Sequence, residues 1–247
     1  MRMLREYYCD LHIHTCLSPC ADLDMHPAAL VRQATEKRLD VIAICDHNAS
    51  ENVRYVMRAA EGGPLGIIPG MEITTSEEVH ILALVPGLDD LVGIQQFVYD
   101  HLPGQNDERL FGCQAVVNEK GEVEGINERL LIGATQLSMN ELIGTIHEFG
   151  GLAVASHIDR ESFSVVSQLG FIDDDSGFDA LEISRAMGMK RARERYPELS
   201  QYTFITSSDA HCLIDIGTAP TVMKLAAGTF EEVKMAMQRR EGRCVIG

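Results

Sequence analysis

The sequence predicts an α/β fold with a largely parallel sheet, either open or closed into a barrel. Short apolar runs rich in branched residues recur along the 247 residues, and helix-start signals fall between several of them. Histidines and acids gather where these runs stop, which gives the sheet a working end.

The first run, YYCDLHIH, reads as a strand. Side chains at i and i+2 share a face, so Asp10, His12 and His14 are expected in a row. Two imidazoles on one face can share a metal ion; taken alone, the pair reads equally well as two hydrogen-bonded or partly exposed histidines. Pro27 suits the first turn of a helix through AALVRQATEK. The runs DVIAIC, LGIIPG, HILALV, GLAVAS, FDALEI and YTFIT follow as strands, mostly too short for buried helices. Ser138 and Glu141 form a capping box before LIGTIHEF, which Gly150-Gly151 closes, and Thr229 with Glu232 forms a second box ahead of VKMAMQRR. Residues 103–137 break the alternation, and QAVVNEKGEVEG within them reads as a hairpin turning near Lys120-Gly121. The stretch is too short for a core of its own, so residues 1–247 are expected to form a single domain with an insertion at about 103–137.

A net charge of −16 argues against a general electrostatic grip on nucleic acid, and no extended nucleic acid is expected as a partner. An anionic substrate remains compatible with that charge, because bound divalent cations invert the sign inside one pocket. No apolar stretch approaches a membrane span, and MRMLREYYCDLH does not resemble a secretory signal. The odd count of seven cysteines, several inside apolar runs, fits free thiols in a reducing cytoplasm. Cytoplasmic location without membrane attachment is the expectation, with the oligomeric state left open.

His47 follows DVIAIC, Glu72 follows LGIIPG, His157 follows GLAVAS, and Asp209 and His211 follow YTFIT. These are C-terminal strand ends, where parallel α/β sheets and barrels build their sites. His80 precedes its strand, but only seven residues separate it from Glu72, too few for a helical crossover. The segment ITTSEEV is therefore expected to turn back and keep both residues on one rim. His26, His101 and His147 lie on helical or connecting stretches and read as surface or packing residues.

Taken in order, DLHIHTCLSPCAD, CDHN, PGMEITTSEEVH, ASHID and SSDAH are similar to the motifs of the PHP (polymerase and histidinol phosphatase) superfamily of metal-dependent phosphoesterases, from residue 10 to about 211. The resemblance implies a distorted seven-stranded β/α barrel with up to three divalent metals at its C-terminal mouth. It implies that His12 and His14 hold a first metal with Asp209, and that Glu72 bridges the first and third. His47 and His211 would hold the second and His80 and His157 the third, with Asp22, or failing it Asp24, completing the second. Imidazole with carboxylate suits zinc, manganese or iron, so two or three such ions are the expected cofactors. Three ions bring about +6 and the carboxylates of Asp22, Glu72 and Asp209 remove about 3, leaving a pocket that attracts phosphate.

The expected chemistry is metal-assisted hydrolysis of a phosphate ester, most simply a small-molecule or nucleotide phosphomonoester. The alternatives are a phosphodiesterase or exonuclease on short nucleic acid, and a noncatalytic metal-binding regulatory module. Arg160 and Arg185 are the expected phosphate-binding, catalytic arginines. The basic run 185–195 reads as a solvated helix face, and Cys16, Cys20 and Cys212 as small packing residues. Asp46 is expected either to orient an imidazole or to cap a turn, and the hairpin insertion to act as a lid.

Overall fold

A computed structural model describes residues 3–246. The chain enters through β1 (Arg5–Ile13), crosses by helix α1 (Pro27–Glu36) to β2 (Val41–Ile44), and by α2 (Val53–Ala59) to β3 (Gly66–Thr74). These three strands are parallel neighbours. Pro27 occupies the first turn of α1, as its fixed φ and missing N–H favour.

β4 (His80–Leu84) runs back antiparallel to β3, with Thr74 paired to His80 and Gly70 to Leu84. After α3 (Leu88–His101), the short α4 (Glu108–Phe111), the hairpin of β5 (Ala115–Val117) and β6 (Val123–Ile126), and α5 (Met139–Glu148), the chain returns as β7 (Leu152–Ala155). β7 is antiparallel to β4 and so restores the original direction. α6 (Val165–Leu169), β8 (Ala180–Ile183), α7 (Gly188–Arg195) and β9 (Phe204–Thr206) continue the parallel series. β10 (Thr221–Leu225), α8 (Phe230–Met237) and β11 (Cys244–Ile246) close the chain. The expected α/β barrel-like sheet is present, with two more strands than the seven implied: the order is β11-β10-β1-β2-β3-β4-β7-β8-β9.

β10 covers only the N-terminal half of β1, pairing Arg5 through Cys9 with Leu225 through Thr221. The C-terminal half of β1 instead meets the segment after β9, where Ile13 bridges Ala210 and His14 N–H donates to the Ala210 carbonyl at 3.0 Å. The sheet thus approaches closure at the end where the parallel strands stop.

Two apolar layers follow from strand alternation. Val41, Ala43, Cys45, Ile68, Leu82, Leu84, Val154 and Ala180 fill the inside, whereas Ile42, Ile44, Met71, Ile81 and Leu181 face helices through Leu30, Val56, Ile94 and Ile146. Each inward series turns polar at the same rim: Ile68, Gly70, Glu72 on β3, Leu84, Leu82, His80 read backwards along β4, and Ala180, Glu182 on β8. Gly70 is required within that layer, because a Cβ there would stand 3.0 Å from the Ala83 carbonyl oxygen and from Cys45 Sγ.

β1 departs from simple alternation. Cys9 and Leu11 belong to the inner layer but Ile13 to the outer one, and the register with β2 slips between Asp10 and Ile13. The expected row of Asp10, His12 and His14 is broken by this bulge: Asp10 instead accepts the backbone N–H groups of Ser208 and Gly217. At the helix starts, the Ser138–Glu141 box is complete, whereas Thr229 makes no side-chain cap and Glu232 accepts from Ala226 N–H and pairs with Arg243. Among the described residues no helix is long and apolar enough to cross a membrane.

Candidate metal centre

Glu72, at the rim end of the inner face of β3, is the hub of the site. Its Oε1 lies 3.0 Å from His80 Nδ1 and 3.4 Å from both His12 Nε2 and His157 Nε2. Its Oε2 lies 3.1 Å from His47 Nδ1 and 3.5 Å from His14 Nε2. Asp209 Oδ1 stands 3.3 Å from His12 Nε2, 3.2 Å from His14 Nε2 and 3.6 Å from His211 Nδ1. His80 reaches this rim because β4 runs backwards, as the short ITTSEEV connection requires. Eight of the nine expected ligands therefore surround one space: His12, His14, His47, Glu72, His80, His157, Asp209 and His211.

The surrounding hydrogen bonds fix which nitrogen faces that space. His12 Nδ1–H donates to Glu182 Oε2 at 3.0 Å, and the same oxygen accepts His157 N–H at 3.1 Å. His14 Nδ1–H donates to Ser18 Oγ at 2.9 Å, and Ser18 in turn donates to Asp46 at 2.7 Å. Both Nε2 lone pairs then point inward, and the two atoms lie 3.1 Å apart. Lone pairs that close need a proton or a cation between them.

Several buried donor atoms have no hydrogen-bond partner: His47 Nδ1, His80 Nδ1, His157 Nδ1, Glu72 Oε1 and Asp209 Oδ1. Orphaned buried polar atoms are costly. His80 Nδ1 lies only 3.0 Å from Glu72 Oε1 without hydrogen-bond geometry, as expected when both aim at a common point. Three overlapping triads have ligand atoms within 4.8 Å of one another, namely His12-His14-Asp209, His47-Glu72-His80 and His14-His47-His211. The donor set fits divalent cations that take mixed nitrogen and oxygen ligands.

Charge within the cluster is strongly coupled. Burial opposes ionisation of Glu72, yet His80 and His12 hold its carboxyl well below the usual range. Asp209 is likewise held low, its burial outweighed by His12 and His14. Burial acts against a charged His12, but Glu182, Glu72 and Asp209 raise its pKa. His14 is driven down by burial and by its neighbours His211 and His47. Backbone strain marks the same rim, with His157 at φ 28° and Asp209 at φ 49°.

The remaining expected residues divide. Arg160 lies in the site, its guanidinium 2.6 Å from Asp209 Oδ2. Arg185 pairs with Asp215 at 2.7 Å and reaches Thr218, outside the residues that line the cleft. Asp22 and Asp24 are exposed and belong to none of the ligand triads; Asp22 touches the site only through its backbone N–H, which donates to the His211 carbonyl. Cys20, on the same turn, is likewise exposed and outside the ligand triads; partial burial raises its thiol pKa, but the neighbouring His211 and His47 bring it down to about 6. Asp46 orients His14 through Ser18 and also accepts Thr15 N–H, rather than touching the His47 ring. Sequence reasoning missed Glu182 and Ser18 as partners of the site histidines. For Glu182 a signal was available, since it follows Ala180 by two on the inward face of a strand leading to the same rim.

Above the ligands lies a cleft of about 210 Å³ lined by His47, Glu72, His80, Ile132, His157, Arg160, Phe163, Asp209 and His211. Ile132 comes from the insertion. That segment is pinned to the barrel: Asn52 donates to the Ala115 carbonyl and accepts Val117 N–H, and Asn48 donates to the carbonyls of Leu131 and Gly133. Through Ile132 it lines one side of the cleft.

Comparison with known proteins places this geometry in context. A model of the PHP domain family matches residues 10–170. The 5'-3' exoribonuclease Rnm of Escherichia coli (strain K12) is 38% identical over 80 residues, 30% of this chain and 26% of that protein. The lesion-specific endonuclease PfuEndoQ of Pyrococcus furiosus superposes with a TM-score of 0.71 at 16% identity, over 98% of this chain and 58% of that one. An Endonuclease Q complex with a 27-mer duplex substrate, carrying an abasic lesion at the active site, matches with a TM-score of 0.73 at 16% identity and the same coverage. The chain thus spans about a quarter of the exoribonuclease and somewhat over half of the endonuclease chains. These relatives correct the expectation that extended nucleic acid is excluded: one is an exoribonuclease and another holds a DNA duplex. A net charge of −16 weighs against a broad basic grip on phosphates, but it does not exclude nucleic acid held at a cation-binding pocket.

Proposed function

The chain belongs to the PHP domain family, and from that premise we propose that it is a metal-dependent phosphoesterase that hydrolyses phosphodiester bonds of nucleic acid. The observation that carries the reading is the Glu72 hub, a buried carboxylate facing five imidazoles, three of which have an unpartnered ring nitrogen, at the floor of a cleft. His12, His14 and Asp209 would hold one ion and His47, Glu72 and His80 another, with His157 and His211 serving a shared or third position. Zinc, manganese or iron suits this mixture. When bound, such ions neutralise charge on the phosphoryl oxygens and acidify the attacking water.

The protein's own groups do the positioning. Glu182 and the Asp46–Ser18 pair lock the tautomers of His12 and His14, so the site is set before substrate arrives. Arg160 presents its guanidinium at the cleft and can exchange its contact with Asp209 for a phosphoryl oxygen. Arg185 lies outside the residues that line the cleft and pairs with Asp215, so Arg160 is the arginine assigned this role. A cleft of about 210 Å³ admits one nucleotide unit at the point of cleavage rather than a broad duplex face. The relatives' nucleic-acid substrates support the substrate class.

The test is cleavage of end-labelled RNA and DNA oligonucleotides and an abasic duplex beside p-nitrophenyl phosphate, with manganese, zinc or iron and with chelator. Metal-dependent oligonucleotide cleavage, lost in Asp209→Asn and reduced about 10²-fold or more in Arg160→Ala, is expected. Turnover of the monoester alone would overturn the substrate class. Metal binding with no turnover of any substrate would favour a noncatalytic module.

A further inference from the structure

Phe163 is an exposed aromatic residue placed against the metal centre. Its ring lines the same cleft as Glu72 and Asp209 and remains 39% exposed, although a phenyl ring gains by burial. One face stacks on His80, with centroids 4.6 Å apart and planes 20° from parallel. His80 is itself fixed beside Glu72, so the phenyl plane is referenced to the metal-binding atoms. The backbone is tied to the same histidine, because His80 N–H donates to the Phe163 carbonyl at 2.9 Å.

Phe163 also holds φ at 56°, a conformation that is an outlier for a bulky side chain. Glycine would relieve that strain but remove the ring. Strain of this kind persists where the surroundings dictate it, and it gathers at ligand clamps. Arg160 lies on the same turn, its carbonyl accepting a hydrogen bond from Ser164 Oγ at 2.8 Å. One short loop thus carries a cation for a phosphate and, three residues on, a ring with solvent access.

Resting on the phosphodiesterase reading above, we infer that Phe163 is a stacking platform for the nucleobase adjoining the phosphate that is cleaved, with Ile132 flanking it across the cleft. Stacking on a π-face tolerates any base, so the platform selects nucleotides over sugar phosphates without selecting sequence. A residue that merely shields His80 from water would need only an apolar surface.

The experiment compares Phe163→Ala, Phe163→Leu and Phe163→Trp with wild type on an oligonucleotide and on the same oligonucleotide with a tetrahydrofuran abasic residue at the cleaved position. For the base-bearing substrate, Ala and Leu are expected to raise KM about tenfold with kcat little changed, while Trp stays near wild type. For the abasic substrate all four should agree. In parallel, 2-aminopurine nucleotide fluorescence is read with the manganese-loaded protein, and quenching is expected in wild type and Trp but not in Ala or Leu. A Leu variant that behaves as wild type, or equal KM changes on both substrates, would overturn the platform. So would absent quenching in wild type. Quenching without cleavage of any oligonucleotide would uphold the platform and overturn the phosphodiesterase reading.

Discussion

At the scale of single residues, the site is decided by which nitrogen each imidazole turns inward. Glu182 does this for His12 from a strand that sequence patterning treated only as a route to Arg185. The alternation of FDALEI puts Glu182 on the inward face with Ala180, but its partner His12 is seen only once β8 and β1 face each other across the barrel interior. The candidate ligand histidines were legible because each stands at or near a strand end within a motif. Glu182→Gln keeps the shape and removes the charge that orients His12. Divalent-ion affinity, measured by competition with a chromophoric chelator, is expected to fall about 10- to 100-fold. Asp22→Asn should leave it unchanged, since that carboxylate belongs to none of the ligand triads. An unaffected Glu182→Gln would show that His12 is oriented without its carboxylate partner.

At the scale of elements, legibility followed connection length. The seven residues between Glu72 and His80 allowed only a reversal, and β4 is the antiparallel strand that results. The bulge in β1 was not legible, because DLHIH alternates well enough to hide an extra residue whose presence is set by pairing with β2. The insertion was legible as a hairpin, but its attachment depends on two buried asparagines outside it, Asn48 and Asn52. Asn52→Ala would leave Val117 N–H and the Ala115 carbonyl without their side-chain partner in a buried setting. Each such loss costs about 1–3 kcal/mol, so a drop in unfolding free energy of about 2–4 kcal/mol is expected from urea titration. A change below about 0.5 kcal/mol, the range of ordinary surface substitutions, would mean that water replaces both bonds and that the wall is loosely held.

At the scale of the whole molecule, charge explains why the substrate class was the hardest property to read. A chain at −16 repels polyanions at long range, yet its buried centre gathers histidine and carboxylate groups that could hold a metal ion. The ligand pattern predicts a local inversion of sign, but neither it nor composition says whether the anion drawn in is a small phosphate or a strand of nucleic acid. If nucleic acid is held through ions in the cleft and a single guanidinium, few counterions are displaced from its phosphates. The slope of log affinity against log monovalent salt should then be shallow, about −1 to −2, where a protein making six to ten phosphate contacts shows several times that. Chelator, by contrast, should abolish binding at any salt concentration, and manganese should restore it. Fluorescence anisotropy of a labelled oligonucleotide separates the cases. A steep slope insensitive to chelator would place binding on basic surface side chains such as those of α7, and the acidic chain would then be gripping nucleic acid away from its metal centre.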